Sequence, residues 1–412
     1  MKILHLTTVA TSHQHLLLPQ LVALTEAGHE VVAVSATGPE VATLEQHGIR
    51  HRPLEGSTRG FDLRADLRAA HSFARIVRDE RPDVVHTHNP KPGVYGRILA
   101  RALGVKHVVN TVHGLYATPD DSLRRRLVVY GLEAMAARFS HLELVQSIED
   151  AELMRRRRLA PAARVRHLGN GIELDRFTAD CPDVEREVRR ELGIGVEETV
   201  VGSVGRLVAE KGFTELLAAS EALDAPHALV IVGPDDPDKS DAIPRSVIDA
   251  ARSRGVRFLG HRDDIDRLLP AMDIFVLASY REGVPRAAME AAAAGLPIIA
   301  TDIRGCRQVV EDGVTGTLVA RAQVGSLRTA LGELIANRDL RERYGKAGRA
   351  KAMAEFDERQ TVAKLFTAYR ELGIPCPRRD RTPVELDAVE VAASQAAGSV
   401  PSGSEHVSES YV

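Results

Sequence analysis

TVVGSVGRLVAEKGFTELLAA, residues 199–219, divides into three parts with three different patterns. TVVGSV is a short apolar run of the kind that forms a buried strand, GRLVAEKG is a loop carrying two cations, and FTELLAA opens an amphipathic helix. The unit recurs toward the C-terminus, where ALVIVG, VRFLG, IFVLAS, PIIATD and GTLVA are further strands with helices between them. Toward the N-terminus, KILHLTT, HEVVAVSA, VVHTH, HVVNTVH and LELVQS form an earlier series, with helical stretches such as DLRAAHSFARIVRDERP and GVYGRILARALGV between them. Strands alternating with helices predict parallel sheets covered on both faces. The fold class is therefore α/β: two doubly wound, Rossmann-like domains in tandem, residues 1–180 and 197–357. NGIELDRFTADCPDVEREVRRELGIG (170–195) reads as the hinge, ERQTVAKLFTAYRELG (358–373) as an amphipathic helix, and the Ser-, Pro- and Ala-rich tail 376–412 as disordered.

Length and composition bound the rest. A chain of 412 residues exceeds what one core usually supports. A formal net charge of -3 argues against nucleic acid held by bulk charge. Cys181, Cys306 and Cys376 are odd in number and far apart, which predicts a reducing compartment and no disulfide framework. MKILHLTTVAT is too short and too polar beyond the strand for a signal peptide, and no stretch has the length of a membrane span. The predicted location is cytoplasmic.

Ligands in open α/β sheets sit outside the carboxyl ends of the strands, so the loops there are the place to seek chemistry. Gly205 and Arg206 follow one strand, and Lys211 stands at the next helix entrance. Two cations at a helix N-terminus suit a diphosphate, because Arg forks onto phosphate oxygens and Lys adds a point charge. Taken alone, both are ordinary surface cations. They are accompanied by SYREGVPRAAMEAAAAGLPIIATD (279–302), in which Glu282, Gly283 and Val284 precede a helix and Glu290 lies about two turns inside it. A carboxylate on the loop can accept from sugar hydroxyls, a deeper one can hold ribose hydroxyls, and the amides of Gly283 and its neighbours would face phosphates. Singly, each glutamate is an ordinary helix charge.

Together GRLVAEKG, the Glu-x7-Glu spacing of Glu282 and Glu290, NGIELDRF, VGP at 232–234 and FLGHRDDI resemble the retaining glycosyltransferases of the GT-B fold, family 4, over roughly residues 1–373. The resemblance implies that Arg206 and Lys211 bind the donor pyrophosphate, Glu290 the ribose and Glu282 the transferred sugar. It also implies that His113, in NTVHGLY, stands near the reaction centre, where an imidazole can polarise a hydroxyl or assist proton movement. The family's glycine pair after the first strand is replaced by TTVATSHQHLLLPQL, so Ser12 and His13 are candidates for the acceptor side, as are His88 and Asn89 in VVHTHNPKPGVYGR, while satisfied loop histidines are an equal reading. The segments around His88 and His113 are similar to the branch that builds bacterial capsule, exopolysaccharide or lipid-linked glycans.

The implied reaction moves a hexosyl unit from a nucleoside diphosphate sugar, by family default a UDP-sugar, to the hydroxyl of a sugar or lipid-linked glycan, with retention and with no metal or cofactor. The Asp pairs of GPDDPD and HRDDID read as a loop and a helix start. Arg124, Arg125 and Arg126 beside Leu127, Val128 and Tyr130, with four arginines at 155–158, would suit an anionic membrane surface. The competing reading is a solvated helix face with a buried stripe. The resemblance further implies that the helix at 358–373 crosses back onto the N-terminal domain. A nucleotide-sugar epimerase, a glycosyl phosphorylase or an inactive donor-binding partner of a synthase are the alternatives on the same architecture.

Overall fold

The first strand, β1 (Lys2–Val9), lies between β2 (Glu30–Ala36) and β4 (Val84–His88). With β3 (Arg50–Pro53), β5 (His107–Val112), β6 (Leu142–Val145) and β7 (Val165–His167) it forms a parallel sheet ordered β3-β2-β1-β4-β5-β6-β7. A second parallel sheet is ordered β10-β9-β8-β11-β12-β13. Its strands are β8 (Thr199–Val204), β9 (His227–Val232), β10 (Arg257–Phe258), β11 (Ile274–Leu277), β12 (Ile298–Thr301) and β13 (Gly316–Val319). This computed structural model describes residues 1–377 apart from 59, 61, 89, 119, 120, 179, 180, 238 and 240. Asn89, and the tail beyond residue 377, lie outside the described residues.

The helices that bear on the site are α1 (Leu18–Glu26), α2 (Leu63–Glu80), α3 (Pro90–Ala102), α4 (Leu123–Ala136), α5 (Ile148–Arg156), α6 (Phe213–Glu221), α7 (Arg286–Ala293) and α8 (Glu358–Glu371). Strand β8 takes the bounds its apolar run predicts. The short strands β3 and β7 were not legible in the sequence, because RHRP and VRH carry almost no apolar signal. β3 has no buried residue; it owes its place to pairing with β2 and to Glu80, which binds Arg50 and Arg52 from the end of α2.

Each sheet has cores on both faces. Helix α8 packs on the first sheet: Val362, Leu365, Phe366 and Tyr369 are buried with Ile3, Leu21 and Val31. At roughly 1.5–3 kcal/mol per buried aliphatic or Phe side chain, that seam holds the end of the second half firmly onto the first. The hinge segment meets the returning chain directly, with Ile172 N–H bonded to Phe356 O and Glu358 N–H to Ile172 O. The strand order of each sheet reverses between its first strand and the fourth in sequence, β1/β4 and β8/β11. In open sheets that reversal opens a crevice at the carboxyl ends.

Candidate functional site

That crevice is a cavity of about 970 Å³ between the two sheets. Thr8 near the end of β1 and Ser12 beyond it line its first side, together with Val112–Tyr116 at and after the end of β5 and Val128, Val129 and Leu132 of α4. Arg206, Glu210, Lys211, Lys239, Arg281, Glu282 and Gly283 line the other side, after β8, β9 and β11. Four cations there face two carboxylates, a balance that favours a polyanion.

Three of the cations stand beside acids. Lys211 Nζ lies 2.6 Å from Glu282 Oε1, and Arg206 Nη1 lies 2.7 Å from Asp236 Oδ2. Arg281 stands 3.9 Å from Glu210 and 3.8 Å from Asp121. Lys239 and Arg281 escaped the sequence reading, although Arg281 directly precedes Glu282 and its adjacency was a usable signal.

The loop of residues 205–212 departs from expectation in one respect. Its amides are largely spent within the fold: Gly205 donates to Val232 O, Leu207 to Pro234 O, Ala209 to Asp241 O and Lys211 to Val208 O. Anion binding there falls to side chains. The N–H groups of Gly283 and Val284, by contrast, meet no partner among the described residues. They stand at the entrance of α7, where helix amides favour negative charge.

Glu290 is one turn inside α7, not two, because the helix starts at Arg286. It does not line the cavity; its carboxylate is 3.8 Å from Arg286 Nε, and burial raises its pKa against the pull of Arg286 and Arg176. The structure thus brings Arg206, Lys211, Glu282 and Gly283 together with His113 and Ser12, whereas Glu290, Val284 and Gly205 are not among the residues that line the cavity.

The histidines correct the sequence reading most. His13, expected on the acceptor side, is fully buried with Nε2 3.3 Å from Val34 O, and burial lowers its pKa to about 3. His88, expected beside it, is also buried, in a hydrogen-bonded row of rings. His5 Nδ1 lies 3.0 Å from His88 Nε2, and His88 Nδ1 lies 3.1 Å from His113 Nε2. His86 is tied to Tyr369 Oη at 2.9 Å and Thr111 Oγ1 at 2.7 Å. His113, which lines the cavity, has Nε2 against His88 and Nδ1 buried without a partner, and desolvation lowers its pKa to about 4. A ring so lowered is neutral near pH 7.

His5, His86 and His88 are also the group whose ligand atoms come within 4.8 Å of one another among the described residues. Both nitrogens of His86 and both of His88 have partners within the core, while His5 Nε2 has none. Three aspartates of the two Asp-pair segments are held by arginines: Asp236 by Arg206, Asp264 by Arg262, Asp266 by Arg176.

Helix α4 packs one half-buried stripe, with Tyr130 and Ala134, against the core and leaves its other apolar residues exposed. Only Ala136 of the helix is buried, whereas Leu127 is 64% and Val128 61% exposed, with Leu123, Leu132 and Met135 also exposed. Val128 and Leu132 line the cavity as well, so the apolar face runs from the outer surface to the cavity mouth. No helix of the described residues is long and apolar enough to cross a membrane.

Comparison with known proteins agrees with this architecture. Residues 184–351 match the family Glycosyl transferases group 1, and residues 20–176 match Glycosyltransferase Family 4. The UDP-Gal:alpha-D-GlcNAc-diphosphoundecaprenol alpha-1,3-galactosyltransferase of Escherichia coli is 30% identical over 279 residues, 66% of this chain and 71% of that one. The capsular polysaccharide biosynthesis glycosyltransferase CapM of Staphylococcus aureus is 26% identical over 89% of this chain and 96% of its own. The solved structure of Anabaena Alr3699/HepE in complex with UDP and glucose superposes with a TM-score of 0.76 at 22% identity, covering 90% of this chain and all of that one. The epimerase, phosphorylase and inactive-partner alternatives gain nothing from these likenesses.

Proposed function

The chain belongs to the group 1, family 4 glycosyltransferases of the GT-B fold, and from that premise we propose that it transfers a hexosyl unit from a UDP-sugar to an acceptor hydroxyl with retention. The observation that carries this reading is the Lys211–Glu282 pair on a cavity wall that also bears Arg206, Lys239 and Arg281. The cations and the α7 amides neutralise the leaving diphosphate without a metal, and Glu282 accepts from a hydroxyl of the sugar. The bond from the anomeric carbon to the β-phosphate oxygen breaks while the acceptor oxygen bonds to the same face of that carbon. The acceptor's proton passes to the departing phosphate oxygen, so no side chain becomes covalently bound. Glu290, half-buried on α7, is assigned to the ribose.

The acceptor enters on the side of Ser12 and α4. The two relatives named above act in bacterial glycan assembly, and one acts on a diphosphoundecaprenol-linked sugar. The exposed apolar face of α4 beside Arg124 and Arg125 supports an acceptor of the same kind, a lipid-linked glycan met at an anionic cytoplasmic membrane surface. The test is a thermal-shift panel with UDP, GDP, ADP and TDP, with and without magnesium, since a ligand that binds only the folded state raises its stability. UDP alone should stabilise the protein without magnesium, and product NMR should show the donor's anomeric configuration. An inverted product, or activity abolished by chelator, would overturn the proposal.

A further inference from the structure

Arg304 follows β12 in the second half of the chain, yet its guanidinium is buried in the first half. Nη1 lies 2.6 Å from Asp150 Oδ1 near the start of α5 and 3.5 Å from Ala117 O, while Nη2 donates to Leu115 O at 2.6 Å. Asp150 is fully buried, and its other oxygen accepts the N–H of Leu115 at 3.0 Å. One ion pair therefore grips both the N–H and the C=O of a single residue, and its cation comes from the opposite sheet. Leu115 belongs to the cavity-lining segment Val112–Tyr116.

The backbones cross tightly at the same place. A Cβ on Gly283 would run into His113 O, and one on Gly305, next to Arg304, would run into Gly283 O. Three loops meet there without side chains between them: the His113–Gly114 turn, the Glu282–Gly283 turn and the Arg304–Gly305 turn. Farther out, Arg307 pairs with Glu149 at 3.2 Å and Gln308 Oε1 accepts Ile148 N–H at 3.2 Å. Those exposed contacts join the two halves without touching the loop.

A buried ion pair gains little net stability over an apolar pair, but losing one member leaves an uncompensated charge. Its arrangement here has a different consequence. When Arg304 is withdrawn, Leu115 loses its carbonyl partner and Asp150 loses its counter-charge; when Arg304 is seated, the loop has one shape. We propose that Arg304 is a positioning residue, which on seating against Asp150 fixes the loop His113–Ala117 in the form that walls the sugar side of the cavity. Joining the two halves and completing that wall are then one event. The catalytic consequence rests on the transferase reading above; the structural one does not.

The experiment compares the native protein with Arg304→Gln, Arg304→Lys and Arg307→Ala by amide hydrogen exchange of the peptide covering residues 113–118, by UDP titration calorimetry, and by turnover of a UDP-hexose. Arg304→Gln should speed exchange of that peptide by about tenfold or more, since a loop with fewer anchors opens more readily. UDP affinity should stay within about twofold, because the diphosphate cations are elsewhere, while kcat falls about 100-fold through misplacement of the loop. Arg304→Lys should lie between, having the charge without the fork, and Arg307→Ala should match the native protein. Unchanged exchange in both Arg304 variants would overturn the proposal, as would UDP affinity falling in step with turnover. If Arg304→Gln does not fold, Asp150→Asn takes its place with the same expected pattern. Failure of UDP to bind the native protein would count against the transferase reading and leave the exchange result to judge Arg304.

Discussion

Replacing His86 by Gln should make the protein less sensitive to acid. Five imidazoles, His5, His13, His86, His88 and His113, are held neutral in the folded chain, all chiefly by desolvation, with His86 lowered to about 3. In the unfolded chain each titrates near about 6.5. Between those values the unfolded state binds the proton and the folded state does not, so stability falls as pH falls. At pH 5 the unfolded state gains RT ln(1 + 10^1.5), about 2 kcal/mol per histidine, against less than about 0.1 kcal/mol at pH 7.5. Five rings together approach about 10 kcal/mol, comparable with the whole stability of many domains at about 5–15 kcal/mol. Buried Glu143 and Asp150, and half-buried Glu290 and Glu358, act in the opposite sense, because burial raises their pKa values and they protonate first in the folded state. A comparison of variant and native protein cancels those terms. Gln can still bond Tyr369 and Thr111 but does not titrate. The stability difference between His86→Gln and native protein, from urea unfolding, should therefore shift by about 2 kcal/mol in favour of the variant between pH 7.5 and pH 5. A difference that stays constant across that range would refute the claim that His86 is buried neutral.

Lys211→Ala should weaken UDP binding by about 1.5–3 kcal/mol, about 10- to 150-fold, because a charge-assisted bond is lost and Glu282 is left facing the phosphates. Glu282→Gln in the same chain should recover part of that loss; calorimetry of the four-member cycle gives the coupling, and strict additivity would show that the pair does not act together. Arg97 is fully buried with Glu143 and Glu133, each at 2.8 Å. Arg97→Met should cost about 3–5 kcal/mol in urea unfolding, and Arg97→Met with Glu143→Leu should cost less than the single change. Leu127→Asp on α4 should lower co-sedimentation with phosphatidylglycerol vesicles severalfold while leaving UDP affinity unchanged; equal sedimentation would remove α4 from the membrane contact.

The donor wall was largely readable in the chain. Arg206, Lys211, Glu282 and Gly283 stand at strand ends that local apolar periodicity locates, and the strand order then brings β8 and β11 side by side. Lys239 was not readable, because GPDDPDK carries no pattern that says which way its loop folds. Glu290 was placed correctly on a helix but one turn too deep, since a helix start is the boundary that periodicity fixes least.

By itself, the sequence determined the alternation of strands and helices, the two-sheet α/β class and the loops where ligands would be met, because these follow from periodicity within a few residues. Tertiary structure alone decided what those loops touch. His13 and His88 look like loop histidines until the sheet assembles and buries the rings, His13 against Val34 of β2 and His88 between His5 of β1 and His113 after β5. The α4 residues look like half of an amphipathic stripe until packing leaves apolar residues beyond that stripe uncovered. Arg304 and Asp150 stand 154 positions apart with nothing in either neighbourhood to announce the other. Burial and pairing depend on which distant segments share a surface, and that is a property of the assembled sheets.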